Sequence, residues 1–145
     1  MMIYRLALAA LSVGSVLAWK GAHAAPEPTP LAIAQALDVS SFPNSTGPRR
    51  QEGARTLADY GFTEVEVEGD TVSLFEPDRS WVFAVRVIAA EAGTATLCVT
   101  DRALNGGSYF TVRPLVVVAD ETGLLVATGA MPDLPECPRI GGDDD

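Results

Sequence analysis

The sequence predicts an α+β domain in which one main helix packs on a curved antiparallel sheet of about six strands, a meander, after a cleaved signal peptide. Three observations lead there. Residues 1–24 have the build of a secretory signal. Residues 48–60 space apolar side chains three and four apart. From Phe62 onward the period falls to two, with Gly, Pro, Asn and Asp clusters separating the apolar runs.

In chain order, Arg5 supplies a basic start and residues 6–18 form a charge-free apolar run of 13, shorter than the roughly 20 residues a spanning helix needs. Ala22-His23-Ala24 is a small-x-small cleavage signature, so cleavage is expected before Ala25. No cysteine lies near that point to accept a lipid. Residues 25–46 read as an extended leader and a short helix: 25–30 hold three prolines, 31–37 give one or two apolar helical turns, and 38–46 form a loop. Ser45-Thr46-Gly47-Pro48 then offers capping hydroxyls and a proline for the first turn of the main helix. That helix is expected to run to about Tyr60, with Ala54, Leu57 and Ala58 on one face and Gly61 closing it.

Strands follow. Residues 63–68 alternate Val65 and Val67 with Glu64, Glu66 and Glu68, and Gly69-Asp70 turns the chain into 71–75. Residues 81–90 put Trp81, Phe83, Val85 and Val87 on one side and Val82, Ala84 and Ile88 on the other, the pattern of a central strand. In 94–100, Ala95, Leu97 and Val99 face one way and Cys98 with the threonines the other. Residues 109–112 and 115–119 are separated by Pro114, and 124–128 ends the meander. Residues 47–138 make the single domain, and 139–145 are expected to be a disordered acidic tail. A helix followed by a curved antiparallel meander is similar, in element order, to cystatin-like and nuclear-transport-factor-like architectures.

Removing residues 1–24 leaves 121, enough for one core and too few for two. Eight bases against 19 acids then give a charge of −11, which argues against nucleic acid and anionic membrane as partners. His23 and Lys20, the single histidine and single lysine, leave with the signal. Without them, Ser-His-Asp and Cys-His nucleophiles, His-containing zinc sites, lysine Schiff bases and P-loop sites fall away. No cofactor is expected. An all-arginine, alanine-rich mature chain points to a GC-rich bacterial source, hence to periplasmic or secreted localisation. In that oxidising setting Cys98 and Cys137, with 38 residues between them, form a structural disulfide tying the proline-rich tail to the strand of Cys98.

Arg49 and Arg50 stand in the expected first turn of the main helix, where cations oppose the helix dipole. With Ser45 and Thr46 they make a candidate anion site; the alternative is that they pair with Glu52, the hairpin glutamates or another of the many surface acids. Asp101-Arg102, with Asn105-Gly106-Gly107-Ser108-Tyr109, reads as the most polar loop between strands; its Arg102 and Tyr109 are candidate partner anchors, unless the loop is an ordinary connection. Glu64, Glu66 and Glu68 read as a solvated strand face, and Trp81 with Phe83 as core. The functional expectation is an exported acidic, non-catalytic domain binding a protein or a small anionic ligand, with no membrane insertion. A carboxylate-based hydrolase and an envelope structural or assembly factor are the alternatives.

Overall fold

A computed structural model describes residues 27–43 and 46–141. The expected signal peptide, Ser45 and residues 142–145 lie outside them. The described chain is mostly β: a curled, mixed sheet of seven strands with one short helix. Helix α1 spans Pro30–Ala36, starting at Thr29, whose hydroxyl accepts from the Ala32 N–H at 3.2 Å, with proline in the first turn. Strand β1 (Leu37–Asp38) follows, then a short 3-10 turn (Val39–Ser41), β2 (Glu64–Glu68), β3 (Thr71–Phe75), β4 (Trp81–Glu91), β5 (Thr94–Ala103), β6 (Phe110–Ala119) and β7 (Leu125–Ala127).

The strand order is β1-β7-β6-β5-β4-β3-β2. Strands β2 to β7 form the expected antiparallel meander, and β1 adds a parallel edge against β7, Leu37 opposite Leu125. Two residues carry no periodicity, which is why β1 escapes a reading of the sequence. β4 and β5 are central, in register through Val85 opposite Val99, with an irregularity at Ile88 between Val87 and Ala89.

The main helix expected over residues 48–60 is not there; the segment is a chain of turns. Gly53 sits at φ 80°, which stops any helix in mid-run. Beyond it, the Asp59 carboxylate accepts from the N–H groups of Arg55 and Thr56 and from the Thr56 hydroxyl, closing one isolated turn. Of the expected stripe only Leu57 is buried, while Ala58 is exposed. Without that helix the similarity in element order to cystatin-like and nuclear-transport-factor-like architectures lapses.

The break expected at Pro114 is also absent, and β6 runs through it. Val112 bonds Ile140 in both directions and Val116 N–H bonds the Ala130 carbonyl, so the even-numbered N–H groups of β6 point away from β5. The N–H that Pro114 lacks therefore falls on that outer edge rather than in the β5–β6 ladder. The same bonds place Ile140 against β6, so the expected disordered tail does not begin at Arg139.

The core lies on one face of the sheet. Ile33, Ala34, Leu37, Val39 and Phe42 cover it together with Leu57 and Phe62, packing on Phe83, Val85, Leu97, Val99 and Leu115. The other face carries the Cys98–Cys137 disulfide, with Cα atoms 5.6 Å apart, packed with Val112, Ile88 and Leu134. Among the described residues no helix is long and apolar enough to cross a membrane.

Candidate functional site

Residues 46–50 cross the end of the sheet where the core face turns polar. Asp101 continues the buried alternation of Ala95, Leu97 and Val99, so β5 delivers a carboxylate where a hydrophobe would otherwise sit; it is 2% exposed. Its neighbours in the row are Phe83 on β4 and Thr111 on β6. Three donors meet it: the indole N–H of Trp81, the backbone N–H of Gly47 at 2.9 Å, and the Tyr109 hydroxyl. Burial pushes the Asp101 pKa up, and the bonds from Trp81 and Gly47 only partly oppose it. Burial and the neighbouring Asp101 likewise raise the Tyr109 phenol. The Trp81 and Tyr109 rings lie 5.3 Å apart, enclosing the carboxylate on that side.

The Gly47 contact fixes the loop. Its φ of 87° is a conformation that glycine adopts without strain, and a Cβ there would lie 3.6 Å from the Phe42 ring. Held this way, the loop and the residues before it enclose a cleft of about 160 Å³, lined by Phe42, Pro43, Thr46, Pro48, Arg49 and Arg50 among others. Arg50 donates to the Phe42 carbonyl at 3.2 Å. Both arginines are exposed, and among the described residues the ion pairs belong to Arg55 and Arg79, not to them. Among the described residues Arg49 and Arg50 pair with neither Glu52, nor the hairpin glutamates, nor another surface acid. Thr46 is 6% exposed and its Oγ1 has no hydrogen-bond partner among the described residues.

Arg102 and Tyr109 are not brought together. Arg102 is exposed on the face opposite Asp101, its guanidinium 5.6 Å from the Phe110 ring, while Tyr109 turns to the Asp101 side. Glu64, Glu66 and Glu68 are all exposed, and Arg79 bridges the first two at 3.3 and 2.8 Å. Phe83 is core, and Trp81 is half-buried against it. Among the described residues no group of three or more His, Cys, Asp or Glu side chains is placed to hold a metal.

Two polar features lay beyond a reading of the sequence. Arg113 is 6% exposed and donates to backbone carbonyls of Val112, Ile140 and Gly141, anchoring the C-terminal segment beside β6. Arg55 joins Asp38 at 2.5 Å to Asp120 at 2.9 Å, tying three distant segments. The alternation expected over 94–100 stops short of Asp101, which in sequence reads as part of a polar loop but which β5 carries on its core face; its donor 54 residues earlier leaves no local signal. Comparison of the chain with protein-family models, with curated proteins and with solved structures finds no match.

Proposed function

We propose that this chain is an exported, acidic, non-catalytic binding domain that takes a protein or a small ligand in the bacterial periplasm or outside the cell. One observation carries the reading: Arg49 and Arg50 line a cleft without a carboxylate partner among the described residues, although acids outnumber bases by 11 beyond residue 24. Among the described residues Arg86, Arg102, Arg113 and Arg139 also lack an ion pair; Arg49 and Arg50 differ from them in standing side by side on one cleft. Two guanidinium groups side by side, with only one of their donors spent on the Phe42 carbonyl, are available to an outside anion. The lack of histidine and lysine beyond residue 24 supports binding over turnover.

The competing hydrolase reading needs two carboxylates facing one concave site. Burial raises the Asp101 pKa, but its oxygens are taken up by Trp81, Gly47 and Tyr109, which favours a structural role. The deciding experiment is affinity capture from an envelope extract with protein exported from cells expressing the full chain, alongside the Arg49→Gln/Arg50→Gln double variant. A component retained by the parent and lost by the variant supports the proposal. Turnover of a glycoside or ester panel that Asp101→Asn abolishes would overturn it.

A further inference from the structure

We infer that the ligand of the Thr46–Arg50 cleft is a small organic anion, an oxyanion head such as a carboxylate or phosphate monoester on an apolar body. The inference rests on reading the cleft as a binding site, and it concerns what that site selects. At about 160 Å³ the cleft is smaller than pockets for drug-sized ligands, so it suits one compact group. Its walls divide by chemistry. Arg49 and Arg50 present planar, multi-donor groups matched to paired oxygens, and Arg50 has spent only one contact, on the Phe42 carbonyl. Phe42 and the half-buried Pro43 and Pro48 form the apolar remainder. A bare inorganic ion would satisfy the guanidinium groups and leave the proline faces in water. An apolar body attached to the head covers them and adds its own transfer free energy.

The Thr46 hydroxyl supplies a second, independent pointer. It is buried and has no hydrogen-bond partner among the described residues, a costly state for a hydroxyl, and Thr46 lines this cleft. Donation to a head-group oxygen would relieve that cost. The Gly47 N–H is committed to Asp101, so selection falls to side chains: two guanidinium groups, one hydroxyl and the apolar wall.

The test uses protein exported from cells expressing the full chain, titrated at constant ionic strength with benzoate, phenyl phosphate, inorganic phosphate and benzyl alcohol, read by amide shifts at Thr46, Gly47 and Arg50. Benzoate or phenyl phosphate should bind about tenfold or more tighter than inorganic phosphate and benzyl alcohol. Arg49→Gln/Arg50→Gln should weaken that binding by about tenfold. Thr46→Val should also weaken it, while leaving the ligand-free melting temperature unchanged or higher, which a purely structural hydroxyl would not do. Inorganic phosphate binding as well as the aromatic anions would overturn the apolar part. Benzyl alcohol binding as well would overturn the anionic part, and unchanged affinity in the double variant would place the site elsewhere. If no probe binds, the inference fails, while the binding-domain reading survives provided affinity capture still yields a component that depends on the two arginines.

Discussion

Among the described residues two carboxylates, Asp38 and Asp101, are buried, and they are stabilised in opposite ways. Asp38, 4% exposed, is bound by the Arg55 guanidinium through both Nε and Nη2, and the same guanidinium reaches Asp120. Asp101, 2% exposed, receives an indole, a backbone amide and a phenol, and no arginine. The consequences separate the two regions. Hydrogen bonds from the Thr122 hydroxyl and from Arg55 hold Asp120 well below the ordinary carboxylate range, whereas burial drives Asp101 above it. Neutral donors can satisfy the oxygens of a buried acid without repaying the loss of water around its charge. The Asp38 region is a clamp between segments, and the Asp101 region is a strut whose cost is accepted because it fixes the 46–50 loop.

The largest expected effect comes from outside both sites. Replacing Cys98 and Cys137 by serine removes the loop constraint and should lower unfolding stability by about 4 kcal/mol in the chain-entropy model, read by denaturant titration. Because the C-terminal segment pairs with β6 beside Thr111, amide exchange should rise more at Val112 than at Val39, which bonds the Arg55 carbonyl in the clamp. Equal loosening at both amides would dissolve the distinction between the regions.

Next in size, Asp101→Ala strands the Trp81 and Gly47 donors and should cost about 3 kcal/mol. Tyr109→Phe removes one of three donors and should cost about 1 kcal/mol. A loss from Tyr109→Phe as large as that from Asp101→Ala would mean that the phenol, not the carboxylate, organises the strut.

The subtlest test is pH. Asp120 has a depressed folded pKa, so the stability it contributes is present above the ordinary aspartate value of 3.8 and is lost as pH falls toward its folded value. Asp101 has a raised folded pKa, so its contribution is full below 3.8 and is lost as pH rises through its folded value. The stability gap between the parent and Asp120→Asn should therefore shrink on acidification, and the gap between the parent and Asp101→Asn should shrink toward neutral pH. Parallel curves would show that the two carboxylates titrate alike.

The difference between the regions also explains what the sequence disclosed. Period-two runs located the antiparallel strands, with β5 cut short at 100 and β6 split at Pro114, together with the hairpin at Gly69-Asp70 and the core face of β5, because alternation is local. Apolar spacing at 48–60 suggested a helix, but Gly53 and the Asp59 turn decide that segment, and propensity over so short a stretch yields to them. Pro114 looked like a break because the edge its missing N–H faces is a tertiary fact. Arg49, Arg50 and Thr46 were legible as a cluster from adjacency. Asp101 and the clamp were not, since each depends on partners brought from 54 and 65 residues away.

Asp101 holds the loop presenting Arg49 and Arg50 through the Gly47 amide. Hydrogen exchange of that single amide, measured in the parent and in Asp101→Ala, tests this directly. The Gly47 amide should exchange slowly in the parent and fast in the variant, with the β4 and β5 amides at Val85 and Val99 still protected. Fast exchange at Gly47 in the parent, or equal protection in both proteins, would contradict it.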